Sequence, residues 1–401
     1  MQALVNARVL ADEGFVEGRA VLVDAGRIVA TPRADDPRVA RAERSDLKGA
    51  YLMPGFIDCQ VNGGGGVLFN DQPTLEGIRA IGAAHRRFGT TGFLPTLISD
   101  DLAVIVRAMA AVRAAIEAQV PGVLGIHIEG PFINERKKGT HDASKFRGLD
   151  AEGIALLSSL GVGRTLVTLA PETTTPAMIR RLADAGVVIS AGHTDATYEQ
   201  TSESFRHGVM GVTHLFNAMS PMNHRHPGVV GAALLDPDCW CGLIVDGRHV
   251  HPAALLVALN CKRPDRFMLV TDAMPSVGAA QGAFVLQGKR ITVKDGVCVD
   301  EAGVISGSAL DMASAVRNCV NLLGLPLEQA ARMASTYPAE FLGLPLEQAA
   351  RMASTYPAEF IGMGGELGRI APGYRATFVA ADEDVNVLGT WIEGRAASQD
   401  G

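Results

Sequence analysis

The sequence predicts an α/β chain: a (β/α)8 barrel of the TIM type with a small β-sandwich made from both chain ends. Three observations carry that expectation. Through the middle of the chain, β-forming runs alternate with amphipathic helical stretches, the pattern of a parallel sheet with crossover helices. Eight such runs can be marked, enough to close a barrel. Four side chains able to bind a metal or carry a proton each fall directly after one of them, where the active face of such a barrel lies.

In order along the chain, residues 1–50 hold short alternating segments, Ala3–Val9, Arg19–Val23 and Arg27–Ala30, which read as strands. In Tyr51-Leu-Met-Pro54-Gly55-Phe56 the Pro-Gly pair punctuates the entry to the barrel. The sandwich is therefore expected over 1–50 and 371–401, and the barrel over 51–370. Barrel strands are expected at Gly55–Val61, Thr91–Ile98, Val123–Glu129, Thr165–Ala170, Val187–Ala191, Val209–His214, Gly242–Asp246 and Phe267–Asp272. Between them, Leu102–Gln119, Ala177–Ala185 and Pro252–Asn260 place apolar residues at helical spacing. Residues 323–341 and 342–360 are the same string, LGLPLEQAARMASTYPAEF. Structural repeats normally diverge and need at least about three units, so this reads as a duplication and not as a functional array. Pro near the start and Tyr-Pro at the far end predict one short helix per copy, with a single native slot for the two. After Gly368 the strand-like style resumes in Tyr374–Ala380 and Thr390–Glu393.

Bulk properties exclude several classes. The 401 residues, 47% hydrophobic and 20% charged, describe an ordered globular chain. A net charge of -7 gives no footprint for nucleic acid. Apolar runs are short, and MQALVNARVL lacks the basic-then-apolar build of a signal peptide, so no membrane association and a cytoplasmic location are expected. Cys59, Cys239, Cys241, Cys261, Cys298 and Cys319 show no CxxC spacing, which predicts reduced thiols, mostly buried.

The chemistry concentrates in HIEGPF with Glu129, SAGHTDA with His193, THLFNAM with His214 and VTDAM with Asp272. One carboxylate and two imidazoles form a three-ligand set for a catalytic divalent ion with a position left for water. Asp272 is then free to move protons. On a strand His127 shares a face with Glu129, and Gln60 with Asn62. His127 is expected in the core or orienting Glu129. Neutral amides are poor ligands, so one tightly held ion is expected, with a weak second position near Gln60. His141 follows in a loop rich in Lys, Arg and Gly, where an imidazole N–H could polarise a carbonyl oxygen. Arg225 in the loop after strand six, and Asp246-Gly247-Arg248-His249 after strand seven, point to an anionic substrate.

The strings PGFIDCQVNGGGG, HIEGPF, KGTHD, SAGHTDA, THLFNAM, DGRHVHP and VTDAM, in this order over nearly the whole chain, resemble the motif series of the N-acetylglucosamine-6-phosphate deacetylases of the amidohydrolase superfamily. The resemblance implies hydrolysis of the N-acetyl group of N-acetylglucosamine-6-phosphate to glucosamine-6-phosphate and acetate, in amino-sugar catabolism or cell-wall recycling. It implies one metal ion per subunit on Glu129, His193 and His214, zinc before iron, cobalt or manganese. It further implies metal-activated water with Asp272 as general base and acid, and His141 on the substrate carbonyl. Asn217, Ala218, Arg225 and His249 would bind the sugar phosphate. Thr140, Asp246, Gly247, Arg248, Ile305, Ser306 and Gly307 complete the expected substrate contacts. The arginine is typically contributed across a dimer interface in this family, so a homodimer is implied. The Gln60 form resembles the one-metal branch.

Three other readings keep the same barrel: deacetylation of N-acetylgalactosamine-6-phosphate, ring opening of the dihydroorotase type, and an inactive scaffold. Ring opening usually needs two metals, which Gln60 speaks against. Retention of all four key residues speaks against the scaffold.

Overall fold

The computed structural model describes residues 1–280, 282–294, 296–341 and 366–397, so the second copy of the duplicated string lies outside the described residues. The chain divides into two units: Met1–Ile57, Arg86–Gly92 and Met312–Gly401 form one, Asp58–His85 and Phe93–Asp311 the other.

Both chain ends build the two sheets of the first unit. One sheet runs Arg27–Ala30, Val21–Asp24, Gln2–Val5, Glu43–Asp46; the other runs Arg395–Ala396, Val387–Ile392, Phe378–Ala381, Tyr51–Pro54, Arg8–Ala11, Gly14–Val16. The ends meet where Phe378 pairs with Pro54 and Ala381 with Tyr51. Leu52 and Phe378 are buried there with Val9, Ile28, Tyr374 and Ala376. Each large apolar side chain so withdrawn from water contributes about 1.5–3 kcal/mol. The single strand expected over Ala3–Val9 is two, Gln2–Val5 and Arg8–Ala11, in different sheets. Asn6 between them takes a left-handed φ of 55°, which a short polar side chain tolerates and a continuous strand does not.

The first copy of the repeat makes two helical pieces, Leu327–Ala334 and Thr336–Phe341, where one was expected. Ser335 leaves the helical region between them at φ -134°, ψ -66°. Pro338 then falls in the first turn of the second piece, where its missing N–H costs nothing.

Eight strands, in the second unit but for the first residues of the first two, stand side by side in strict chain order: Phe56–Val61, Thr90–Ile98, Gly125–Glu129, Arg164–Leu169, Val188–Ala191, Val209–Val212, Trp240–Leu243 and Phe267–Leu269. From the second to the eighth, neighbours pair in parallel. First and last meet where Val61 bridges Ala273 in parallel and the Asp272 N–H donates to the Gln60 carbonyl at 3.0 Å, closing the (β/α)8 barrel.

Helices run between successive strands. In Leu102–Glu117 the buried side of Ile105, Ala108, Met109, Val112 and Ala115 follows the 3.6-residue period. Tyr198–Arg206 opens on a capping box between Thr197 and Gln200, and Pro176 and Pro252 open their helices in the first turn. After the eighth strand comes an antiparallel sheet that the strand count did not anticipate: Ala283–Leu286, Lys289–Lys294, Val297–Val299 and Ile305–Ser308. One of its tight turns was legible in Gln287-Gly288 between alternating apolar residues. All six cysteines are free and all but Cys261 are buried. Among the described residues no helix is long and apolar enough to cross a membrane.

Candidate active site and metal centre

Glu129 is the last residue of the third strand. His193 and His214 lie two residues past the fifth and sixth strands, and Asp272 three past the eighth. These three take left-handed φ values of 49°, 35° and 53°. Non-glycine residues seldom do so, and the cost of about 1–3 kcal/mol persists only where the surroundings fix the conformation. All three side chains line one cleft.

At the floor, Glu129 Oε1 lies 3.1 Å from His214 Nε2 and 3.3 Å from His193 Nε2, and the two nitrogens are 3.2 Å apart. All three residues are buried. Among the described residues this trio is the group that could hold a metal ion. The donor set fits a divalent cation. His193 Nδ1 donates to the Lys137 carbonyl at 2.9 Å, which leaves the Nε2 lone pair for a ligand. Burial works to raise the Glu129 carboxyl, but the hydrogen bonds and charge of the two histidines hold it far below its usual range. His214 is lowered by burial, yet raised overall by its bond to Glu129. Its Nδ1 is buried without a hydrogen-bond partner.

A second layer fixes these ligands. The Asn134 N–H donates to the His193 carbonyl at 2.9 Å. Glu172 accepts from Asn134 Nδ2 at 2.8 Å, the Asp195 N–H at 2.6 Å and Thr194 Oγ1 at 2.5 Å, so one carboxylate ties the loops after strands three, four and five.

Asp272 Oδ1 accepts from Asn62 Nδ2 at 2.6 Å and from Gln60 Nε2 at 3.1 Å. The same Gln60 nitrogen donates to Glu129 Oε1 at 3.0 Å. Gln60 thus turns N–H groups, and not a ligand oxygen, toward the two carboxylates, against the weak second ion position expected there. Burial and the Glu129 charge push Asp272 up to about 6. A cation on the trio opposes that shift. Asp58 lies buried beneath, accepting from Thr271 Oγ1 at 2.5 Å and from the Gln60 N–H at 3.1 Å, and its burial raises it to about 7.

His141 Nδ1 lies 2.8 Å from Ser99 Oγ, and its ring centroid is 4.4 Å from that of His193. Burial and the neighbouring His193 push it down to about 3, so it is neutral. His127 stays in the core: its nitrogens meet Thr96 Oγ1 at 3.2 Å and Thr168 Oγ1 at 2.8 Å, and burial lowers it to about 4. It makes no hydrogen bond to Glu129.

Above the trio opens a cleft of about 330 Å³. Of the expected residues, Asp272, Thr140, His141, Asn217, Ala218, His249, Ile305 and Gly307 line it with the three ligands. Asp246 stands behind, accepting from His249 Nδ1 at 2.6 Å and from the Arg248 and His249 N–H groups at 2.8 Å each. Burial would raise that carboxyl, but the His249 bond and charge hold it below its usual range. Ser306 is buried, with Oγ donating to Thr140 Oγ1 at 3.1 Å. Gly247 and Arg248 lie off the cleft wall, and Arg225 lines a separate depression with Asp195, Tyr198 and Asn223. Six further wall residues, Asn62, Ile98, Arg136, Lys137, Gly139 and Met274, were not among the expected contacts. Arg136 and Lys137 were signalled by the basic run after HIEGPF, and Asn62 and Met274 by their place two residues beyond Gln60 and Asp272.

Comparison with known proteins agrees with this geometry. The model of the amidohydrolase family matches residues 51–346 and again 343–397, breaking inside the duplicated string. A Shewanella sp. (strain ANA-3) protein named N-acetylgalactosamine-6-phosphate deacetylase is 42% identical over 354 residues, 88% of this chain and 84% of its own. The N-acetylglucosamine-6-phosphate deacetylase of Vibrio furnissii is 35% identical over 97% of this chain and 93% of its own. The crystal structure of N-acetylglucosamine-6-phosphate deacetylase from Pasteurella multocida superposes with a TM-score of 0.91 at 34% identity, covering 99% of this chain and 100% of that one. A family match over most of the chain, on a barrel whose strand ends gather a carboxylate and two imidazoles, makes this protein a member of the amidohydrolase family.

Proposed function

We propose that this protein is a metal-dependent deacetylase that hydrolyses N-acetylglucosamine-6-phosphate to glucosamine-6-phosphate and acetate. The observation that carries the reading is the convergence of Glu129, His193, His214, Asp272 and His141 on one cleft. Glu129, His193 and His214 would hold one divalent ion, zinc in the first instance. Such an ion supplies Lewis acidity and brings the pKa of water toward about 7.

Asp272 takes the proton of the attacking water. Its Oδ1 already accepts from two amide groups, so Oδ2 is the basic oxygen. The neutral His141 donates an N–H to the acetyl oxygen as negative charge grows there. Asp272 then returns its proton to the amine nitrogen as the C–N bond breaks, because an amine leaves poorly as its anion. His249, its ring held by Asp246, binds the sugar phosphate with Asn217 and Ala218. Thr140 and the Ile305–Gly307 wall border the sugar, and Gly247 and Arg248 complete the turn that presents His249. In a homodimer Arg225 of the partner subunit would reach the phosphate. The expected setting is the cytoplasm, in amino-sugar catabolism or cell-wall recycling.

The test is acetate release from N-acetylglucosamine-6-phosphate with and without a chelator. Release that the chelator abolishes and zinc restores is expected; none under either condition overturns the reading. The 42% identical relative favours a second substrate, the galactose epimer, and the ratio of kcat/KM on the two epimers decides between them. Arg225→Ala is expected to raise KM for the phosphorylated sugar at least tenfold and to leave the unphosphorylated sugar little changed. Mixing Arg225→Ala with Asp272→Asn subunits should restore activity if the arginine acts across a dimer; equal loss on both substrates makes it structural.

A further inference from the structure

We propose that Ser99 is a positioning residue for this deacetylation, holding His141 in the tautomer that carries its proton on Nε2. The proposal rests on the reading of His141 as the donor to the substrate carbonyl, because a donor must carry its proton on the nitrogen that is not otherwise engaged. Ser99 directly follows Ile98, the last residue of the second barrel strand. Its backbone N–H lies 3.3 Å from His141 Nδ1 and its hydroxyl 2.8 Å from the same nitrogen. A hydroxyl can donate or accept, but a backbone N–H can only donate. Both groups therefore suit an Nδ1 without a proton, and a proton there would face a second N–H inside a site where Ser99 and His141 are 0% and 3% exposed. An imidazole whose Nδ1 accepts a hydrogen bond carries its N–H on Nε2.

The antiparallel sheet after the eighth strand braces this arrangement from two sides. Gln287, in the turn between Ala283–Leu286 and Lys289–Lys294, donates Nε2 to the Ser99 carbonyl at 3.1 Å. Ser306, in the last strand of that sheet, donates to Thr140, the residue before His141. The Ser99 peptide is thus held at its carbonyl by the sheet while its N–H and hydroxyl hold the ring. Neither Ser99 nor Gln287 lines the cleft, so both would act on substrate only through His141.

Two measurements test this. In histidine-labelled protein, NMR correlation of ring nitrogens with ring C–H groups reports the tautomer, the His141 signal being identified by its loss in His141→Gln. The expected result is a proton on Nε2 both without metal and with zinc; a proton on Nδ1 overturns the proposal. In kinetics, Ser99→Ala is expected to lower kcat about tenfold, as for one lost hydrogen bond. KM should stay within about twofold and bound metal should be unchanged. Gln287→Asn, on the surface, should move kcat the same way by less, and it serves if Ser99→Ala folds poorly. In a His141→Gln background Ser99→Ala should cost nothing further; an equal tenfold loss there shows a role independent of His141 and overturns the proposal. Undiminished turnover in His141→Gln itself would sink the donor reading, and the positioning role of Ser99 in turnover with it, whereas the tautomer measurement still reports separately on how Ser99 holds the ring.

Discussion

Asp272 and His193 both sit on left-handed residues past strand ends, yet their surroundings assign them different work. Asp272 is held by amide donors from Asn62 and Gln60, whereas His193 offers a free Nε2 beside Glu129. Asp272→Asn keeps the trio and removes the group that moves the proton. Turnover should fall about 10²–10⁴-fold with bound metal unchanged. His193→Ala removes one of three ligands and should lose metal and turnover together. Metal analysis of the two purified variants separates these outcomes, and near-native activity in Asp272→Asn would end the assignment. At this scale the ligand types were legible, because a carboxylate and imidazoles after β-forming runs declare themselves through local chemistry. His127 was not separable from a group that orients Glu129, since its partners Thr96 and Thr168 lie 31 and 41 positions away.

Elements turn those residues into a site. The strand positions were readable within a few residues because buried parallel strands are continuous apolar runs. The antiparallel sheet of 283–308 has a weaker signal, because its strands are short and partly exposed and eight other apolar runs already suffice to close a barrel. Loop ties such as Glu172 had no signal, since a lone Glu after a strand has no local reason to reach two other loops. Glu172→Ala leaves Asn134, Thr194 and the Asp195 N–H without their acceptor, at about 1–3 kcal/mol for each group that stays buried and unpaired. Released from that tie, the loop bearing His193 should bind metal about 10–100-fold more weakly, as for other outer-layer partners of metal ligands. Titration against a competing chelator measures this, and unchanged affinity would show that the tie is dispensable.

For the whole molecule, the duplicated string offers the plainest test. The first copy supplies Leu327–Ala334 and Thr336–Phe341, and every cleft residue lies outside both copies. Deleting 342–360 should therefore leave kcat, KM and bound metal unchanged and preserve or raise Tm. Loss of soluble protein on that deletion would show that both copies are integral. The sequence by itself determined the fold class, the joining of both chain ends in one sandwich, and the kind of metal centre, because hydrophobic period and side-chain chemistry are local properties. Only the tertiary structure decided how the site is held: which residues turn left-handed, which nitrogen of His141 is engaged, and which carboxylate ties the loops. Those outcomes depend on hydrogen bonds between residues far apart in the chain, such as Ser99 with His141 and Gln60 with Asp272, 42 and 212 positions apart. Folding brings these partners together, and no local pattern announces them.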